Sequence, residues 1–256
     1  MTGGQGRIGR WGTVTAAGAT ALALLAAAAG PGQAEPREPA SRPADKWAEH
    51  YRARVETFRR ENAAARNVVL VGSSHVEGFD AARLLPGRRV VNRGIAADGI
   101  GIGPRGVLHR LDSSVFDCHP GVVVLESGVN DLGELQRHGR PGLEEIEACY
   151  RTVVRQVRQR LPEVPLIIVA VFPTRDRHAV LNPLVAEFNR RLAAMADAHG
   201  CRYLDMHAVL VGADGLLHPE YSRDGLHLSE AGYRLWAGRI AAELDALGEA
   251  AGRAQP

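Results

Sequence analysis

Near the C-terminus, a carboxylate and an imidazole stand three residues apart, at Asp224 and His227. This spacing lets the carboxylate accept a hydrogen bond from one ring nitrogen and leaves the other nitrogen free to act as a base. The chain has ten histidines, so a single histidine would carry little information. The pairing with Asp224 is what makes His227 a candidate for the base of a nucleophilic serine.

The candidate nucleophile lies in the segment Gly72-Ser73-Ser74-His75, directly after an apolar run. A glycine permits a tight strand-to-helix turn, and the first helical residues would leave unpaired N–H groups beside the Ser74 hydroxyl. The same pattern fits a serine that only caps a helix, and Ser73 is a rival nucleophile. His75 adjoins Ser74 in sequence only, because neighbouring side chains at a helix start point in different directions, so we do not expect it to be the base.

Two segments could supply hydrogen-bond donors to the oxyanion of an ester reaction. Asn130, within residues 128–131, carries a neutral side-chain amide suited to this task. Gly94 could present its backbone N–H because no Cβ blocks the approach of a ligand. Each residue also has a purely structural explanation, as part of an Asn-Asp turn and as a loop glycine, respectively.

Short apolar runs alternate with helical patterns along the chain, which favours an α/β fold with a five-stranded parallel sheet covered by helices on both faces. Strands are predicted at 67–72, 89–92, 122–125, 166–171 and 201–205, and the clearest helices at 47–60, 143–161, 183–199 and 229–247. Functional sites in such folds lie at the carboxyl ends of the strands. Ser74, Gly94 and Asn130 all follow predicted strands and are therefore expected to meet there.

Taken in order, these motifs resemble the SGNH hydrolases, also called GDSL-type esterases and lipases, over roughly residues 67–244. The resemblance implies a flavodoxin-like three-layer α/β/α sandwich. It also implies a Ser74 nucleophile, a His227 base oriented by Asp224, and an oxyanion hole formed by Ser74, Gly94 and Asn130. The usual Gly-Asp-Ser-Leu block is replaced here by Gly72-Ser73-Ser74-His75, as in a Gly-Ser-Ser subgroup.

The expected function is hydrolysis of carboxylic esters through an acyl-Ser74 intermediate, without a cofactor or metal ion. Candidate substrates are small-molecule, glycan and lipid esters. The loops at 99–105 and 131–141 are rich in glycine and polar residues, which indicates an open, shallow site and favours short acyl or acetyl groups. Two alternatives stay open: acyl transfer from the same acyl-enzyme, and a non-catalytic domain that binds glycans or acyl groups.

Three other site types fit less well. The pattern Gly-x-Gly-x-x-Gly at 101–106 matches a dinucleotide-binding fingerprint, but it does not directly follow a predicted strand and is interrupted by Pro104. The Gly-x-Ser-x-Gly elbow of α/β-hydrolases is absent around Ser74. The late acidic and histidine residues have no zinc-site spacing; they are Asp205, His207, His218, Asp224 and His227.

The N-terminus has the layout of a secretory signal peptide, with Arg7 and Arg10 before an apolar, Ala-rich run and a cleavage site near Ala34. We expect a signal peptide at 1–34, a linker at 35–46 and one hydrolase domain at 47–250, with a secreted mature protein that has no membrane span. The alternative is an uncleaved signal that anchors the chain in a membrane. A formal net charge of +2 without a basic stripe gives no support for a nucleic-acid partner.

Overall fold

A computed structural model of the chain describes residues 43–61 and 68–253. The predicted signal peptide lies outside this part of the chain and stays a prediction. The first described helix, α1, spans Pro43–Glu61 and so begins inside the segment predicted as a linker. Within the described residues, none of the helices combines the length and the apolar character that crossing a bilayer requires.

The sheet has five strands, all parallel, in the order β2-β1-β3-β4-β5. This confirms the predicted α/β fold, and the order is that of flavodoxin-like proteins. The strands span Val68–Gly72 (β1), Val90–Gly94 (β2), Val122–Glu126 (β3), Leu166–Val169 (β4) and Arg202–Leu204 (β5). Strand β4 ends two residues earlier than expected, because the Val171 N–H bonds the Asn189 side chain instead of continuing the ladder.

Alternate residues of the strands point to opposite faces of the sheet, and helices cover both faces. The helices after α1 span Ser74–Glu77 (α2), Ala81–Leu84 (α3), Leu111–Ser114 (α4), Val129–His138 (α5), Leu143–Arg160 (α6), Asn182–Ala198 (α7), Met206–Leu210 (α8) and Glu230–Arg253 (α9). Val69 and Val71 of β1 pack with residues of α4 to α7. Leu70, between them, packs on the opposite face with residues of α2, α8 and α9.

The end of β1 packs unusually closely against the end of β3. Gly72 is in register with Glu126, and a Cβ on Gly72 would overlap the Glu126 carbonyl and press on Val76 of α2. Only glycine lets the chain turn from β1 into α2 at this distance from β3. The residues that begin α2 are therefore held directly beside the residues that follow β3.

We predict that Gly72→Ala destabilises the fold by about 2 kcal/mol or more, because the added methyl group meets backbone atoms that cannot move aside. Thermal or urea unfolding followed by circular dichroism measures this loss. Gly238→Ala in α9 is the matched control, since a Cβ there meets no atom within 4 Å, and it should be neutral or slightly stabilising. Equal stability of the two variants would contradict the packing described here.

Candidate active site

The two neighbouring serines at the start of α2 have different surroundings. Ser73 is fully buried, and its hydroxyl donates to Glu126 Oε2 at 3.1 Å. Ser74 is half-buried, and its hydroxyl lies 3.1 Å from His227 Nε2. Within the described residues the Ser74 N–H makes no hydrogen bond. Of the two rivals, only Ser74 therefore combines access to solvent with a neighbouring base.

A continuous chain of hydrogen bonds links Ser74, His227 and Asp224. His227 Nδ1 lies 2.8 Å from Asp224 Oδ2, which fixes the Nδ1–H tautomer and leaves Nε2 to accept from Ser74. Partial burial would raise the pKa of Asp224, but hydrogen bonds from the His227 N–H, the His227 ring and the Leu226 N–H outweigh it and hold the pKa below its usual value. Asp224 is thus an anion that can stabilise a protonated His227.

The loop that carries Asp224 and His227 is tied to its surroundings by backbone hydrogen bonds. The Gly225 carbonyl accepts from the Arg175 N–H at 2.7 Å, in the segment that follows β4. The Gly225 N–H donates to Ser222 Oγ at 2.8 Å within the loop. These contacts fix the loop against the carboxyl end of the sheet, where α2 begins.

Asn130 occupies the position that the sequence predicts, directly after β3 in the first turn of α5. Its side-chain amide donates to the Asp98 carbonyl at 2.8 Å. An amide nitrogen carries two hydrogens, so one donor stays available for a ligand while the other fixes the orientation of the side chain.

Gly94 does not have the free donor that the sequence analysis expects. Its N–H donates to Asn92 Oδ1 at 2.9 Å. A Cβ on this residue would overlap the backbone of Glu77, so a glycine is required here for packing of β2 against α2. In this structure the Gly94 N–H is therefore paired, and the missing side chain allows β2 to pack against α2.

Ala97 has the properties that were expected of Gly94, and the sequence analysis missed it. It lies in the segment after β2 with a φ of 57°, in the left-handed region that only a few per cent of non-glycine residues adopt. Its N–H makes no hydrogen bond within the described part of the chain. An alanine side chain has no chemistry of its own, so residue type gives no signal for such a position.

The buried side chain of Arg110 holds the segment that follows β2. The Arg110 guanidinium donates to Asp98 Oδ2 at 3.0 Å, to the Gly72 carbonyl at 2.9 Å and to the Arg93 carbonyl at 2.8 Å. It thereby joins the ends of β1 and β2 to the segment that follows β2. Both Arg110 and Asp98 are almost fully buried, so their charges must be paired.

A cavity of about 410 Å³ lies beside Asn130 and Ala97. Its walls include residues from both predicted segments, 99–105 and 131–141, but residues 131–138 belong to helix α5 and not to a loop. The sequence analysis missed a further wall residue, Trp47 of α1, whose surface is 38% exposed. A tryptophan near the start of an amphipathic helix is usually a core residue, so its type and spacing gave no sign of this position.

The glycine-rich segment 101–106 is a loop beside the cavity and not a strand-to-helix turn. No group of three histidine, cysteine or acidic side chains in the described part of the chain could hold a metal ion. Cys118, Cys149 and Cys201 are free thiols.

Asp131, next to Asn130, is a buried carboxyl group. Burial raises its pKa to about 7, against the lowering effect of the hydrogen bond from the Ile100 N–H at 3.0 Å. A carboxyl whose pKa is higher in the folded than in the unfolded state binds more protons when folded. The stabilisation from that proton is complete below about pH 4 and is lost as the pH rises toward 7.

We predict that Asp131→Asn gains stability relative to the native protein as the pH rises from 5 to 8, by on the order of 2 kcal/mol, because asparagine has no proton to lose. Unfolding curves of both proteins at several pH values measure this difference. Asp197→Asn, at an exposed position on α7, is the control for the removal of a negative charge. If the difference in stability between Asp131→Asn and the native protein did not change with pH, this would contradict the raised pKa of the buried Asp131 carboxyl group.

The chain matches the GDSL-like lipase/acylhydrolase family over residues 70–235. Among solved structures, it is similar to a protein from Streptococcus pneumonia, with 22% identity, a TM-score of 0.70 and coverage of 78% of this chain and 95% of that one. A GDSL-like lipase from Bacteroides thetaiotaomicron has 21% identity, a TM-score of 0.65 and coverage of 75% and 98%. An acetylxylan esterase from Geobacillus stearothermophilus has 18% identity, a TM-score of 0.55 and coverage of 70% and 94%.

At these identities the solved structures show a shared fold and no more. No curated protein matches the chain. The family match covers more than half of the sequence and includes Ser74, Asn130, Asp224 and His227. The chain belongs to the GDSL-like lipase/acylhydrolase family and is an ester-bond hydrolase.

Proposed function

We propose that the chain hydrolyses short-acyl esters, acetyl esters above all, through an acyl-Ser74 intermediate. The observation that carries this proposal is the hydrogen-bonded chain from Asp224 through His227 to Ser74, with distances of 2.8 and 3.1 Å. This arrangement activates a serine hydroxyl, which is a weak nucleophile on its own.

In the proposed reaction, His227 Nε2 takes the hydroxyl proton as Ser74 Oγ attacks the ester carbonyl. Asp224 stabilises the imidazolium that forms. His227 then gives the proton to the leaving alcohol, and the acyl group stays on Ser74. A water molecule, deprotonated by His227, attacks the acyl-enzyme, releases the acid and restores the serine.

Three N–H donors are proposed for the oxyanion: the backbone N–H of Ser74, the free amide hydrogen of Asn130, and the backbone N–H of Ala97 in place of Gly94. The support for Ala97 is its unpaired N–H, its positive φ and its place beside Asn130 on the cavity wall. Donors held in advance by the fold need no reorganisation when the negative charge develops, which is why they lower the barrier.

The residues that line the cavity favour a polar alcohol as the leaving group. Arg105, Glu134 and Arg137 line it together with the exposed ring of Trp47. Charged donors and acceptors beside an aromatic face fit a hydroxyl-rich ring, such as an acetylated sugar, better than a long acyl chain. The shared fold with an acetylxylan esterase is consistent with this choice.

We predict that Ser74→Ala lowers kcat for p-nitrophenyl acetate by at least about 10³-fold, because no other group can form the acyl intermediate. The measurement is the steady-state rate of nitrophenol release, with circular dichroism to verify folding. Ser73→Ala is the matched control and should keep kcat within about tenfold, since it removes only a buried hydrogen bond to Glu126. Activity that survives in Ser74→Ala but not in Ser73→Ala would indicate that Ser73, and not Ser74, is the nucleophile.

We further predict that Trp47→Ala raises KM for an acetylated xylo-oligosaccharide about tenfold and leaves KM for ethyl acetate unchanged, because only the sugar reaches the aromatic ring. Val180→Ala is the control, since Val180 is another exposed large hydrophobic residue but does not line the cavity. Equal effects of Trp47→Ala on both substrates would argue against the sugar site.

A further inference from the structure

Directly beneath Ser74 lies a buried pair of titratable side chains that the proposed reaction does not use. His75 is 1% exposed and Glu126 is fully buried. His75 Nδ1 lies 3.4 Å from Glu126 Oε1, and Ser73 Oγ donates to the other oxygen of the same carboxylate. A buried polar pair of this kind must satisfy its hydrogen bonds within the protein.

The second nitrogen of the His75 ring reaches the loop that carries His227. His75 Nε2 lies 3.0 Å from the Leu226 carbonyl, across 151 positions of sequence. A backbone carbonyl can only accept, so Nε2 must carry a proton. The Glu126 carboxyl group lies at Nδ1, so the ring spans from the end of β3 to the loop that carries His227.

Several neighbouring groups influence the pKa of His75. Burial by itself would lower the pKa of His75, but attraction to Glu126, the hydrogen bonds to Glu126 and Leu226, and attraction to Asp224 together raise it. Two rings also lie close to His75, Phe172 at 4.8 Å and His227 at 5.7 Å between centroids. The His75 backbone carbonyl is also held, by the Tyr233 hydroxyl at 3.1 Å.

We propose that His75, oriented by Glu126, is a positioning residue that holds the His227 loop through its Nε2 hydrogen bond to the Leu226 carbonyl. Leu226 directly precedes His227, so this bond ties the base to α2, the same element that carries Ser74. The inference rests on the proposed esterase reaction, in which the distance between His227 Nε2 and Ser74 Oγ decides how readily the proton moves.

Two substitutions of His75 separate this role from a general role in the core. In His75→Gln the side-chain amide nitrogen can lie near the former Nε2 and still donate to Leu226. In His75→Asn the shorter side chain places its amide nitrogen near the former Nδ1, so it can reach Glu126 but not Leu226. Both variants remove the buried ring, so they should lose stability to a similar degree.

We expect His75→Asn to have a kcat for p-nitrophenyl acetate at least tenfold below that of His75→Gln, with KM unchanged within about twofold, since a misplaced base slows the chemical step. We also expect faster hydrogen exchange at residues 224–228 in the Asn variant. His207→Asn and His207→Gln, at a partly buried histidine of α8, are the controls and should not differ from each other. Equal kcat and equal exchange in the two His75 variants would overturn the proposal.

The proposal can also be tested on the native protein, so that the result does not depend on whether a variant folds. Nitrogen NMR of the ¹⁵N-labelled histidine rings at pH 7 should show His75 Nε2 protonated, and an unprotonated Nε2 would overturn the proposal. If the native protein hydrolyses no ester, the proposed function fails, while NMR and hydrogen exchange still decide whether His75 holds the loop.

Discussion

The close approach of the ends of β1 and β3 is the constraint on which the site depends. Gly72 has no side chain, and this lets its backbone pack directly on Glu126. The turn into α2 therefore begins beside β3, which places Ser74 next to the residues that follow both strands. A parallel sheet brings many strand ends to one edge, and the contact between Gly72 and Glu126 decides how closely α2 approaches the residues that follow β3.

Two buried polar pairs then hold the segments that surround Ser74. Arg110 with Asp98 fixes the segment after β2, and His75 with Glu126 spans from β3 to the His227 loop. Ion pairs in the interior add little net stability, since desolvation offsets most of their attraction. Their hydrogen bonds are directional, however, so they fix the geometry of loops that apolar packing alone would leave less well defined.

The sheet can be predicted from the sequence, and so can the positions of the residues that are proposed to act through their side chains. Continuous apolar runs predict buried parallel strands, and the motifs around Ser74, Asn130 and His227 consist of residue types with their own chemistry. Backbone donors are different, because every residue type except proline has an N–H group and its availability depends on φ, ψ and neighbouring acceptors. The sequence therefore suggests a free N–H at Gly94, although this N–H donates to Asn92. Nothing in the residue type of Ala97 marks its positive φ. Trp47 was missed because pocket walls form between elements that are distant in sequence.

The central claim is that a single serine, activated by His227, forms the covalent intermediate. The most direct test is reaction with a fluorophosphonate, followed by intact-mass and peptide mass spectrometry. We predict one phosphonyl group per chain, located on Ser74, and a strongly reduced rate of labelling in His227→Ala. Labelling on Ser73, or no labelling of the folded native protein, would contradict the account.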